Sequence, residues 1–153
     1  MKRLVLINCN IRNVSPSFAI LSAYRVITLE IMYRVITLKW CTQHAKSDAA
    51  SGYCYVNDVV IGVLELLTWF DRVMYIDIDV HHGDGVEEAF CYSKSVLTCS
   101  FHHHAPLYFP GTGAHTDQGG AAGTQAVLNV PLREGCSDAT FLRVFRHGIY
   151  QWP

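Results

Sequence analysis

The stretch Tyr75-Ile-Asp-Ile-Asp-Val-His-His-Gly-Asp-Gly85 decides how this chain is read. Val73, Ile76, Ile78 and Val80 give it the β-branched, apolar background of a strand covered on both faces, and the pattern predicts a strand over 72–80. Yet Asp77, Asp79, His81, His82 and Asp84 place five ionisable groups within eight residues. Burying Asp77 and Asp79 without a positive partner costs several kcal/mol each. A divalent cation is the expected partner. Gly83 and Gly85 then let the chain turn sharply as the strand ends.

Spacing distributes the roles. Residues two apart on a strand share a face and lie roughly 6.5–7 Å apart. Side chains so placed can lean onto one ion through bonds of about 2 Å. Asp79 and His81 are therefore the expected ligand pair. Asp77, on the order of 13 Å from His81 along a straight strand, is expected behind that pair or at a different ion. His82 points the other way by alternation, toward a supporting or packing use. One carboxylate and one imidazole suit zinc, and a site with few protein ligands leaves room for an activated water. A plain strand end with hydrogen-bonded polar groups is the simpler alternative, but it leaves the desolvation load unanswered.

With 153 residues, 50% of them hydrophobic, the chain has material for one modest core. A net charge of −1 offers no electrostatic footprint for direct nucleic-acid or anionic-membrane binding. Cys9, Cys41, Cys54, Cys91, Cys99 and Cys136 are scattered without a CxxC pair, which predicts reduced thiols inside a cell. No run of about 18 apolar residues is present, so no membrane span is expected. The start, Met1-Lys-Arg-Leu-Val-Leu-Ile7, opens like a signal peptide, but Asn8, Asn10 and Arg12 cut its apolar stretch short.

Residues 1–42 read as an atypical leader in which Tyr-Arg-Val-Ile-Thr-Leu occurs at Tyr24–Leu29 and again at Tyr33–Leu38. Two copies are too few for a solenoid, and each is β-prone, so an exposed copy is an aggregation hazard. Beyond Gln43 the punctuation is regular. Ser51 is the expected cap of a helix reaching about Phe70, followed by the strand over 72–80 and a short helix around Val86–Phe90. A strand is predicted over Ser95–Phe101, a loop over His102–Gly123, and a third strand over Ala126–Val130. Ser137 or Asp138 then opens a helix with Phe141, Leu142, Val144, Phe145 and Ile149 inward. Alternating helices and buried strands imply an α/β domain with a largely parallel sheet. Its site is expected beyond the carboxyl ends of the strands.

Three motifs are recognisable in sequence order: Gln43–Asp58 (QHAKSDAASGYCYVND), Tyr75–Phe90 (YIDIDVHHGDGVEEAF) and Tyr108–Gly113 (YFPGTG). Together they resemble the zinc-dependent histone deacetylases, class I in particular. The resemblance runs from about Gln43 to Pro131 and covers roughly a third of that family's catalytic domain. It implies a three-layer, arginase/deacetylase-like α/β fold, incomplete here, with residues 43–153 as a partial catalytic domain. It implies zinc-dependent hydrolysis of N-acetyl-lysine on histone tails, a nuclear (also cytoplasmic) setting, chromatin repression, and corepressor subunits as partners.

Roles follow from the resemblance residue by residue. Asp79 and His81 match two of three zinc ligands. His44 matches the general acid–base, and Asp84 the carboxylate that orients it. Gly52, Tyr53 and Phe109 match the walls of the acyl-lysine tunnel, with Tyr53 where the family usually has Phe. Asp77, Ser100 and Phe101 match positions around a structural potassium ion, to which Asp79 and His81 add backbone carbonyls. Phe90, Ser93 and Val96 match a second monovalent-ion site. Such a set suits amide hydrolysis, because a zinc-activated water and a carboxylate-oriented imidazole share the proton work.

The departures are as specific. Gln43 stands where the family has the first of two histidines, so one titratable imidazole is lost and Asp77 loses its usual partner. The third zinc ligand and the tyrosine that polarises the substrate carbonyl have no counterpart before Pro153. Trp40-Cys-Thr-Gln43 looks like a shortened approach to the family's histidine pair, which suggests a break or splice. A catalytically inactive fragment is thus the second reading, and a manganese hydrolase of arginase type, which needs further carboxylates, the third. Acetylated polyamines are an alternative substrate class. His102-His103-His104 is expected in a loop without a metal role. Glu87 and Glu88 are expected as first-turn helix carboxylates. Asp117 and Asp138 are expected in a loop and at a helix cap rather than as replacement ligands.

Overall fold

The computed structural model describes residues 3–8, 33–38, 42–120 and 125–150. Five strands, β1 (Arg3–Asn8), β2 (Tyr33–Leu38), β3 (Arg72–Asp77), β4 (Val96–His103) and β5 (Val127–Leu132), form one sheet in the order β2-β1-β3-β4-β5. Every neighbouring pair is parallel. Among the described residues three helices accompany them: α1 (Asp58–Leu67), α2 (Asp84–Phe90) and α3 (Asp138–Tyr150).

Both faces of β3 and β4 are covered, and strand alternation decides by what. Val73 and Tyr75 of β3 and Val96 of β4 meet Val59 and Val63 of α1 and Val86 and Phe90 of α2. Met74 and Ile76, one residue out of phase, join Leu97, Cys99 and Phe101 against Phe141 of α3, with Val144, Phe145 and Ile149 completing that side. The result is the expected three-layer α/β arrangement with a parallel sheet. The strand order reverses between β1 and β3, since β2 is added outside β1 and β4 outside β3. Sites in such sheets form beyond the carboxyl ends at that switch point, where Asp77 of β3 is in register with Asn8 of β1 and Ser100 of β4.

Several boundaries differ from the sequence reading. The segment that opens like a signal peptide forms β1, and the second YRVITL copy forms edge strand β2; the first copy, Tyr24–Leu29, lies outside the described residues. Asn57, not Ser51, caps α1, its side-chain oxygen accepting from the Val60 N–H at 3.0 Å. Ser51 instead bridges Cys54 through two backbone hydrogen bonds of 3.1 and 2.8 Å. Strand β4 runs on through His102 and His103, which the sequence placed in a loop. Ser137 opens α3, accepting from the Thr140 N–H at 3.3 Å. Cys54, Cys91, Cys99 and Cys136 are free thiols, while Cys9 and Cys41 fall outside the described residues. No helix among the described residues is long and apolar enough to cross a membrane.

Candidate functional site

Strand β3 stops at Asp77, three residues short of expectation, because its own carboxylates capture the next backbone donors. Asp77 Oδ1 accepts from the Asp79 N–H at 2.9 Å, and Asp79 Oδ1 accepts from the His81 N–H at 3.0 Å. Side-chain acceptors two residues back draw the chain out of a ladder in this way. Asp79 and His81 therefore meet through a pair of local turns, not by sharing a strand face. His81 Nδ1 lies 3.5 Å from Asp79 Oδ1. Two donors on one tetrahedral zinc, each bonded at about 2 Å, stand roughly 3.3 Å apart.

Asp77 is fully buried behind that pair. Tyr75 donates its hydroxyl to Asp77 Oδ2 at 2.8 Å. Burial, and then the charge of Asp79, push its carboxyl up to about 7. Gly83 is required alongside, since a Cβ there would lie 2.4 Å from Asp77 Oδ2.

His44 approaches from the segment before α1. Its Nδ1 lies 2.7 Å from Asp84 Oδ1, both groups buried. The carboxylate can only accept, so Nδ1–H donates and Nε2 is left as the ring's basic atom. Asn57 holds the segment by donating from Nδ2 to the carbonyls of Gln43 and Ala45 at 3.2 and 2.9 Å. Gly85 lets α2 press on the same two carbonyls, each 2.5 Å from where a Cβ would stand. Gly52 does likewise for the His44 ring, where its Cβ would come within 2.8 Å of Cδ2.

The histidines face one another across an aromatic wedge. The His44 and His81 rings are 6.0 Å apart, and Phe109 stands edge-on to both, at 4.9 and 5.7 Å. Tyr108 stacks on His81 at 5.3 Å and 14°. Burial, then the nearby Asp79, raise the Tyr108 hydroxyl above its ordinary pKa.

The structure thus brings Asp79, His81, His44, Asp84, Gly52 and Phe109 together. Tyr53, with a positive φ of 63°, is 98% exposed and stands in solvent. Gln43 is buried with Oε1 lacking a hydrogen-bond partner. Ser100 sits on β4 beside Asp77, with Phe101 turned to the α3 side. Phe90, Ser93 and Val96 lie together at the turn from α2 into β4, where the Ser93 N–H donates to the Phe90 carbonyl at 2.8 Å. Asp117 accepts from the Ala114 N–H at 3.0 Å in its loop, and Asp138 begins α3.

Two participants were not singled out in the sequence. Tyr108 adjoins Phe109 in its motif, which was the available signal. Lys46 sits 2.8 Å from Glu88 and 3.7 Å from Asp84, and those carboxylates, Glu88 foremost, raise its pKa despite partial desolvation. Nothing in local sequence announces that contact.

Asp79 and His81 fit a divalent ion in donor type and separation. They are two donors, and no group of three or more His, Cys, Asp or Glu side chains gathers around one point among the described residues.

Comparisons with known proteins give the family. The chain is 58% identical over 102 residues to histone deacetylase RPD3 of Saccharomyces cerevisiae, covering 67% of this chain and 23% of that protein. Histone deacetylase 9 of Arabidopsis thaliana is 51% identical over 113 residues, covering 72% and 26%. Histone deacetylase HDAC1 of Drosophila melanogaster is 55% identical over 102 residues, covering 67% and 19%. The chain spans about a quarter or less of the length of these relatives. Residues 16–152 match the family described as the histone deacetylase domain, and the chain therefore belongs to the histone deacetylase family.

Proposed function

We propose that this chain carries the metal-binding and proton-transfer part of a lysine deacetylase site, directed at N-acetyl-lysine on histone tails. The observation that carries the reading is the His44–Asp84 pair at 2.7 Å, facing His81 and Asp79 across Phe109. Asp79 and His81 would hold zinc, which when bound supplies a water of pKa about 7 and polarises the amide carbonyl. His44 keeps Nδ1–H on Asp84, so Nε2 takes the proton from the attacking water and returns it to the departing lysine amine. The flat edge of Phe109 excludes solvent from the acyl-lysine chain, with Gly52 giving room beside His44 and Tyr53 at the rim. Gln43 and His82 support this set from behind.

Asp77, with Ser100, Phe101 and the backbone carbonyls of Asp79 and His81, is assigned to a structural potassium ion. Phe90, Ser93 and Val96 are assigned to a second monovalent cation. A cation beside Asp77 answers the cost of a fully buried carboxylate. The working setting is the nucleus, also the cytoplasm, in chromatin repression with corepressor subunits and without direct nucleic-acid or membrane contact. Residues 43–153 are the catalytic part and 1–42 an atypical leader.

A second reading is an inactive fragment, favoured by the count of two converging donors among the described residues. The test is zinc-dependent hydrolysis of an acetyl-lysine peptide by the 153-residue chain. Turnover that falls at least about 10²-fold in both Asp79→Ala and His44→Ala supports the deacetylase reading. Turnover that survives Asp79→Ala contradicts the metal role, and no turnover at all favours the inactive fragment.

A further inference from the structure

Two buried histidines, His82 and His102, lie outside the proton-transfer set, yet both end on one short stretch of backbone. We propose that they form a clamp on Thr112 and Gly113 that positions the loop 105–113, and hence Tyr108 and Phe109, against His81 and His44. The proposal rests on the deacetylase reading only in naming Phe109 as a wall of the substrate channel. Both histidines act as positioning residues.

The clamp is built from both sides. His82 Nδ1 is 2.8 Å from Thr112 Oγ1, and its Nε2 is 2.9 Å from Glu87 Oε2. Glu87 Oε2 also accepts from Asn129 Nδ2 at 2.7 Å, which ties α2 to β5. His102 Nε2 is 3.0 Å from the Gly113 carbonyl, and its Nδ1 is 2.9 Å from Ser100 Oγ. The two rings lie 4.7 Å apart and each residue is 1% exposed. Gly113, with φ +86°, runs between them: a Cβ there would lie 2.5 Å from His102 Nε2 and 2.7 Å from His82 Cγ. No larger residue fits that slot.

The chemistry fixes the direction of three of the four bonds. A carbonyl and a carboxylate only accept, so Nε2–H donates to Gly113 in one ring and to Glu87 in the other. Nδ1 of the neutral His102 ring then accepts from the Ser100 hydroxyl, while His82 Nδ1 and the Thr112 hydroxyl share a hydrogen bond. Burial above all, then the neighbouring His82, lowers the His102 pKa to about 4, in keeping with a neutral ring. All four ring nitrogens are engaged, which leaves none to bind a metal or carry a proton. What the two rings do hold is the far end of a loop that leaves β4 at His103 and exposes Leu107 completely. Tyr108 and Phe109, the only parts of that loop that touch His81 and His44 among the described ring contacts, lie three to five residues before the clamp.

The test reads geometry, not turnover, in the full 153-residue chain. Phe109 and Tyr108 shift the ring-proton resonances of His44 and His81, and amide hydrogen exchange reports loop order. Thr112→Val removes one exposed hydroxyl and should fold. Expected is movement of the His44 and His81 ring signals toward unstructured values, and at least about tenfold faster exchange over 106–112, with Val73, Tyr75, Leu97 and Cys99 unchanged. His102→Leu should enlarge both effects, while His102→Gln, whose amide can still donate to Gly113, should restore most of the signal. Unchanged ring signals in Thr112→Val and His102→Leu, or an exchange increase spread equally over β3 and β4, would overturn the clamp. Because neither zinc nor substrate enters the readout, a failed clamp and a failed deacetylase assignment are separately visible.

Discussion

Two histidine-bearing strand ends lie side by side, and their backbones part company. At the end of β3 the carboxylates of Asp77 and Asp79 take the N–H groups of Asp79 and His81, the ladder stops, and the His81 side chain is left 37% exposed beside a carboxylate. At the end of β4 the ladder continues: the His103 N–H donates to the Val80 carbonyl at 2.9 Å and the His104 N–H to the Leu132 carbonyl at 3.0 Å. There His102 is swallowed by the core with both nitrogens bonded. The same side chain becomes an available ligand at one end and a fixed strut at the other. What decides is whether neighbouring side chains or neighbouring strands satisfy the backbone.

Acid sensitivity sharpens that contrast most, because the buried group at each end titrates in the opposite sense. Asp77 has its pKa raised to about 7 in the folded chain. Its contribution is fully present below the unfolded value near 4 and is lost as pH rises through about 7. In metal-free protein this amounts to about 4 kcal/mol between pH 4 and 7. Urea unfolding at several pH values should show that loss shrinking in Asp77→Asn, and an identical pH slope in both proteins would refute the assignment. His102, lowered to about 4, contributes stability that is present above about 6.5 and is lost as pH falls through about 4. His102→Gln should therefore be less acid-sensitive than the parent chain over that window.

The apolar side of β4 supplies a control. Phe101 packs on Phe145 at 5.1 Å and Phe141 at 5.9 Å, on the sheet face opposite His102. Phe101→Ala should cost about 3–4 kcal/mol by chemical denaturation without altering either pH effect. A smaller change is expected at Asn57, which caps α1 and holds the His44 segment. Asn57→Ala should lose about 1–2 kcal/mol, whereas Asn57→Asp keeps the cap and loses only the two bonds to Gln43 and Ala45. Equal losses in both variants would show that the cap alone matters.

Much of this was legible in the residues. The carboxylates and imidazoles of 77–84 announced a strand end crowded with ionisable groups, and the β-branched background of Val73, Ile76, Ile78 and Val80 announced a strand covered on both faces. The strand's length was misread because Asp77 and Asp79 look like ladder residues until their side chains are seen competing for the backbone. Asn57 hid behind Ser51, since only five residues, 52–56, separate two chemically reasonable caps. His102 read as a loop histidine because the partner that closes over it, Gly113, lies eleven residues on in the following loop. Strands β1 and β2 lacked a signal of another kind: the YRVITL copy of β2 was visibly β-prone while β1 read as a signal-like opening, and which strand each would join depends on pairing across distant sequence.

Zinc binding, followed through the ring signals of the histidines, tests the central claim most directly. Added zinc should perturb His81 and then His44, weakly and with an affinity that drops at least about tenfold in Asp79→Asn, while His82 and His102 stay still. Zinc that instead goes to His103 or His104, or binds equally well without the Asp79 carboxylate, would contradict the convergence of these groups on one ion.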